Sequence, residues 1–136
     1  MKRLFAVLLI LLVLLSLYTC SKTRVAANQD VTLLFIYEDT NIAATLTGEE
    51  AAKVIEILNR NTYDPTILFG SPSCGFWDDV ALKVGERTFS IASDGCSCIR
   101  DGFNHMYFDI SEEDMAYIHS LFEKYGGYFP CVQSKA

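Results

Sequence analysis

The sequence predicts an α+β domain: a small, mostly antiparallel sheet with two helices packed on one face, stapled by two disulfides. Three observations carry this reading. Short runs rich in β-branched and aromatic residues alternate with turn residues, the pattern of a sheet built from hairpins. Two segments repeat apolar residues at the helical period behind an N-cap signal. Four cysteines, Cys74, Cys96, Cys98 and Cys131, lie in the body of the chain, an even number that suits two bridges.

The elements follow in order. Residues 31–38 (VTLLFIYE) are apolar on both faces and predict a central strand. Asp39, Thr40 and Asn41 make a turn, and residues 42–46 pair back as a short second strand. Thr47 with Glu50 three residues on is a capping box, and Ala51, Val54, Ile55 and Leu58 form the stripe of a first helix that ends over residues 59–65. Residues 66–69 suggest another short strand before the loop residues Gly70, Ser71, Pro72 and Ser73.

Residues 79–84 and 87–92 form a hairpin about Gly85 and Glu86, where a glycine at the first central position favours a type II′ turn. That register sets Val84 against Arg87, Leu82 against Phe89 and Val80 against Ile91. Residues 105–110 are a further strand. Ser111 caps a second helix with Glu112, Glu113 and Asp114 in its first turn, Met115, Ile118, Phe122 and Tyr125 as its stripe and Gly126 as its stop. Residues 128–132 are an apolar tail that must dock.

Ahead of this body, Lys2 and Arg3 precede an unbroken apolar run from Leu4 to Leu15, the n- and h-regions of a secretory signal. The run is shorter than the roughly 20 residues that span a bilayer. Leu17 stands three residues before Cys20, and this stretch resembles a bacterial lipoprotein signal peptide. The resemblance implies diacylation of Cys20, the outer face of a bacterial membrane as the location, and the membrane as a partner through the lipid; as a whole the chain resembles a small bacterial lipoprotein. Tyr18 and Thr19 depart from the small residues usual before the cysteine, which leaves ordinary signal cleavage with secretion, or an uncleaved N-terminal anchor, as alternatives.

The domain reading is therefore a signal peptide over residues 1–19, the anchor cysteine and a flexible tether over 20–30, one α+β domain over 31–132 and a tail over 133–136. Removing residues 1–19 from the 136 leaves 117, enough for one domain with an ordinary core. The whole chain carries a net charge of −6; Lys2 and Arg3 leave with the signal, so the remainder carries −8. Such a domain repels phosphate backbones, which argues against nucleic acid as a partner.

Spacing bears on the cysteines as well. Extending the hairpin puts Cys74 opposite Ser97, between Cys96 and Cys98. Cys74 then pairs with either neighbour and leaves the other for Cys131, and both arrangements stay open. Zinc sites favour two to four residues between paired cysteines, where Cys96-Ser97-Cys98 has one, and redox pairs favour C-x-x-C at a helix start. No metal or cofactor is indicated.

Other chemistry is sparse. His105 and His119 fit no metal-binding pattern, and His119 with Glu123 reads as a pair on the surface of the second helix. Asp78, Asp79, Asp94 and Asp101 flank one end of the hairpin without the spacing of a calcium loop. No catalytic set emerges, so an enzyme is not indicated. Phe76, Trp77, Tyr128 and Phe129 fall near the cysteines and form a candidate recognition patch for a protein or small-molecule ligand. The first functional reading is a non-enzymatic binding or accessory lipoprotein at the cell surface. The alternatives are a metal-binding or redox module using Cys96, Cys98 and His105, and a structural envelope component.

Overall fold

A computed structural model describes residues 24–63 and 72–129. It is an α+β fold with one six-stranded, wholly antiparallel sheet and two helices. The elements are β1 (Val31–Tyr37), β2 (Thr40–Thr45), α1 (Gly48–Arg60), β3 (Phe76–Val84), β4 (Arg87–Ala92), β5 (Cys98–Asp101), β6 (Tyr107–Asp109) and α2 (Glu112–Lys124). Spatial order is β2-β1-β3-β4-β5-β6, so α1 carries the chain from the edge strand β2 to β3 on the far side of β1.

Register gives the sheet two unlike faces. Leu33, Leu82, Phe89 and Asp101 form one row across β1, β3, β4 and β5, and Ile91, Ile99 and Phe108 form part of the next. These apolar residues share one core with Val54, Ile55 and Leu58 of α1 and with Met115, Ile118 and Phe122 of α2. On the other face the row runs Ala43, Leu34, Ala81, Ser90, Arg100, Tyr107. Among the described residues no helix packs there. The Arg100 side chain covers it instead, pairing with Asp78, bonding Ser90 Oγ at 3.3 Å and lying over the Phe76 ring.

The helices begin where their cap residues stand. Glu50 accepts from the Thr47 amide and hydroxyl, both at 2.9 Å, and Ser111 Oγ accepts from the Asp114 amide at 3.1 Å. Ion pairs join the helices at both ends, Glu50 to Lys124 and Asp114 to Arg60, each at 2.5 Å, so α1 and α2 run antiparallel. Lys124, the Thr47 amide and the Tyr125 hydroxyl together hold the Glu50 carboxyl down at about 2.

Several expectations change. The first turn is Glu38–Asp39, so β2 starts at Thr40; Glu38 takes φ 49° there. Gly85 has φ 59° and Glu86 no positive φ, as a type II′ turn requires. Val84 does face Arg87 and Leu82 faces Phe89, but Val80 and Ile91 are not paired. Phe76 pairs with Ala92 and Ala81 with Ser90, so β3 bulges by three extra residues between those pairs. β5 went unread because Cys-Ile-Arg-Asp is too short and polar to signal a strand; its neighbours supply the pairing. His119 is buried rather than on the surface.

The expected strand over 66–69 lies outside the described residues, as do Cys20, residues 130–136 with Cys131, and the signal segment. Within the tether expected over 20–30, Arg24 and Val25 are docked on the domain, while residues 26–30 are exposed. The Asn59 side chain accepts from the Arg24 and Val25 amides at 2.8 and 3.1 Å and donates to the Val25 carbonyl at 2.9 Å, and Val25 is buried. The expected disulfides are not formed among the described residues: Cys74, Cys96 and Cys98 are free thiols.

One buried charge sits in this core. Asp101 is fully buried, and its carboxylate accepts from Arg87, from the Tyr63 hydroxyl and from the Phe103 amide at 2.9 Å. Arg87→Ala should therefore cost about 3 kcal/mol or more, since it strands that carboxylate without its cation. A urea titration that showed a loss of unfolding free energy below about 1 kcal/mol would refute the assignment.

Candidate binding cleft and cysteine cluster

Two features share the end of the sheet where β1 finishes and β3 begins. The first is an apolar cleft of about 140 Å³ lined by Phe35, Tyr37, Trp77, Val80, Ser93, Tyr128 and Phe129. Alternation along β1 sends Phe35 and Tyr37 to the helix-covered side, and the bulge in β3 lets Trp77 reach them. Gly126 takes φ 100° and ends α2, and Gly127 then passes close to Phe35. A Cβ at Gly127 would stand 3.1 Å from that ring and 3.2 Å from the Phe122 carbonyl oxygen, so a side chain there would have to displace the ring or the end of α2 by a few tenths of an ångström.

The tail then delivers two rings. Tyr128 lies 5.2 Å from Phe35 and 5.8 Å from Tyr37, and its hydroxyl donates to Glu38 at 3.3 Å. Burial first, and the Glu38 carboxylate second, push the Tyr128 hydroxyl above its ordinary value. Phe129 is buried and stacks on His119 at 4.0 Å. Burial pushes that imidazole below its ordinary value, so it sits neutral beneath the ring. Tyr37 and Trp77 meet edge to face at 6.0 Å and 88°. Trp77 remains 54% exposed, unusual for a tryptophan, which is highly buried on average.

The structure thus brings Trp77, Tyr128 and Phe129 together and leaves Phe76 out. Phe76 points to the opposite face, 5.3 Å from Tyr107 and beneath Arg100. Reading the sequence alone missed Phe35, Tyr37, Val80 and Ser93. Phe35 and Tyr37 carried a signal in their two-residue alternation with Leu33. His119 carried one too, since it falls four residues after Met115 and three before Phe122, on the buried stripe of α2.

The second feature is the cysteine cluster. Ser93 donates to the Gly75 carbonyl from both its amide and its hydroxyl at 2.9 Å. Asp94 bridges the two loops, accepting from the Gly75 amide at 2.8 Å and the Cys96 amide at 3.3 Å. Burial opposes the charge on Asp94, and these amides outweigh it and hold its carboxyl below the ordinary range. The clamp sets the sulfurs of Cys74 and Cys96 2.7 Å apart. That is longer than a bonded S–S pair at about 2.05 Å. It is shorter than the roughly 3.8 Å that separates two thiolates on one tetrahedral zinc, from Zn–S bonds near 2.3 Å.

Cys74, Cys96 and an Asp94 oxygen lie within 4.8 Å of one another, and no histidine is among them. Cys98 opens β5, buried and paired in register with Asp109. Its thiol is pushed up to about 12, chiefly by burial and then by the Asp109 carboxylate; that of Cys96 rises to about 12 through its hydrogen bond with Cys74 and through burial. His105 is exposed in the turn beyond the other end of β5, with φ 57°, and is not brought to Cys96 or Cys98. The four acids do not converge either: Asp78 pairs with Arg100, Asp79 is exposed, Asp94 ties the loops and Asp101 lies buried with Arg87.

No protein-family model matches the chain, and neither a curated protein nor a solved structure does.

At about pH 8 a thiol with its pKa near 12 is almost wholly protonated. In the reduced chain Cys96 and Cys98 should alkylate at least about a hundredfold more slowly than an ordinary thiol. Timed alkylation followed by peptide mass mapping reads this, and labelling of Cys98 at the rate of a free cysteine would contradict the buried, acid-flanked setting.

Proposed function

We propose that the protein is an exported, membrane-anchored, non-enzymatic binding domain whose aromatic cleft takes one ring or branched aliphatic group from a small molecule or a partner protein. The observation that carries this reading is the exposure of Trp77 at the mouth of a cleft otherwise walled by aromatic rings. A cavity of about 150 Å³ accepts a benzene-sized guest, whereas drug-sized ligands occupy roughly 300–1,000 Å³. At about 140 Å³ the cleft suits a single anchoring group, with the rest of the ligand outside. The apolar run before Cys20 and the Leu17–Cys20 spacing support the lipid anchor. Among the described residues no helix is long and apolar enough to cross a membrane, so the body of the domain offers no helical span.

Two disulfides complete this reading. Cys74 and Cys96 need to close by less than about 1 Å to reach bonding distance. A disulfide donor of the exported compartment would take their two electrons and two protons, becoming two thiols as the new S–S bond forms. Cys98 is then left for Cys131, two residues beyond Phe129. The bridges would brace the cleft, because Ser93 links the Cys74–Gly75 loop to the cleft wall.

Titration with toluene, followed by NMR, tests the cleft. Shifts should concentrate on Tyr37, Trp77, Tyr128 and Phe129, and Trp77→Ala should weaken binding about tenfold. Shifts scattered over the surface, or an unchanged affinity in the variant, would remove the cleft as the site. Intact mass of the exported chain tests the bridges: it should lie about 4 Da below the fully reduced value, two hydrogens per bond. A fully reduced mass would discard them.

A further inference from the structure

The aromatic cleft carries a charge pattern as well as a shape. Tyr37 meets two other rings of the wall near a right angle, Trp77 at 6.0 Å and 88° and Tyr128 at 5.8 Å and 77°. Two rings at a right angle with centroids about 6 Å apart each lie about 4 Å from the corner their faces enclose, inside the roughly 6 Å over which a ring face attracts a cation. Phe35 is buried 5.2 Å from Tyr128 and adds a further ring to the wall.

Acids stand beside these rings. Glu38 and Asp39 form the β1–β2 turn directly after Tyr37, and both are exposed. Glu38 accepts from the Tyr128 hydroxyl at 3.3 Å, so a carboxylate touches the wall itself. Burial first, then Glu38 and also Asp39, push that hydroxyl above its ordinary value, which puts both acids within electrostatic reach of the cleft. Among the described residues neither acid makes an ion pair, and no lysine or arginine lines the cleft. The walls are chiefly carbon, and the Ser93 hydroxyl donates to the Gly75 carbonyl, so an N–H group brought inside would find few acceptors.

Resting on the binding reading above, we propose that the group the cleft takes is a quaternary ammonium, the trimethylammonium head of a small, soluble, choline-like cation. Tyr37, Trp77 and Tyr128 supply the negative faces of their rings, and Glu38 and Asp39 supply full charges at the rim. A trimethylammonium head is about the size of the benzene guest that a cavity of roughly 150 Å³ accepts. The cleft, at about 140 Å³, takes such a head and leaves the rest of the molecule outside. An unmethylated ammonium would bring N–H donors into walls that cannot pair them, whereas the methylated one has none. A phosphate or carboxylate next to the ammonium would meet the same two acids on a chain of net charge −6, so a free cation fits better than a zwitterion.

The test titrates the full chain, held in a detergent without an ammonium group, and follows the emission of Trp77, the single tryptophan. Choline should bind at least about tenfold tighter than its neutral isostere 3,3-dimethylbutan-1-ol, and tighter by a similar factor than its unmethylated form, ethanolamine. Supplying 5-fluorotryptophan in place of tryptophan, which weakens the ring face with little change of shape, should loosen choline about twofold or more and leave the neutral alcohol unchanged. Glu38→Gln combined with Asp39→Asn should act in the same direction. Equal binding of choline and the alcohol, or a response to toluene without one to choline, would overturn the ammonium and leave the cleft standing. No response to choline, the alcohol or toluene would overturn the cleft itself. Ethanolamine matching choline would overturn the methylated head, and phosphocholine binding tighter than choline would overturn the free cation. Choline affinity unchanged by fluorination would overturn the part given to the Trp77 face, and affinity unchanged in the double variant would overturn that given to the acids.

Discussion

The carboxylate of Asp101 occupies the helix-covered face of the sheet, in the same row as Leu33, Leu82 and Phe89, where a lone charge would cost several kcal/mol. Its position is tenable because three donors converge on it. Arg87 reaches across from β4, Tyr63 from beyond the end of α1, and the Phe103 amide closes the turn after β5. The same arginine holds the Arg24 carbonyl, so the buried acid fixes the tip of the sheet and the path of the N-terminal segment together. Placement of the turn at Phe103 and of the Arg24 backbone follows from this one charge.

The opposite end is organised without buried charge. A bulge in β3 and the glycines after α2 bring three separate stretches of chain to one aromatic cleft. Close packing of Gly127 on Phe35 and stacking of Phe129 on His119 leave the rings few alternatives. Under the proposed reading, a ligand entering such a preformed cleft would not need to order its walls, which would keep the entropic cost of recognition low. The Asp94 clamp also sets the sulfurs of Cys74 and Cys96 side by side at this end.

An unequal sheet links the two ends. One face is sealed by α1 and α2 through a continuous core, with ion pairs joining the helices at either end. The other carries no helix among the described residues and depends on Arg100, which spans Asp78, Ser90 and Phe76. Its edge strands differ as well: β6 is only three residues long, while β2 offers six residues along an open edge.

Local chemistry made much of this legible in the sequence. Thr47 with Glu50 and Ser111 with Asp114 started both helices where they start, because a cap acts within one turn of chain. Gly85 announced the β3–β4 turn and hence the Leu82–Phe89 register, since turn type and strand pairing are set by adjacent residues. Trp77, Tyr128 and Phe129 stood out by residue type, but nothing local separated them from Phe76, which a three-residue bulge sends to the other face. Strand β5, the burial of His119, the docking of Arg24 on Asn59 and the rescue of Asp101 by Arg87 all depend on partners distant in sequence. Residue spacing by itself determined where the helices begin and where the central hairpin turns. Tertiary packing alone decided which rings share a cleft, which charge is buried and where Arg24 and Val25 dock, because those choices rest on contacts between segments that meet only in the folded chain.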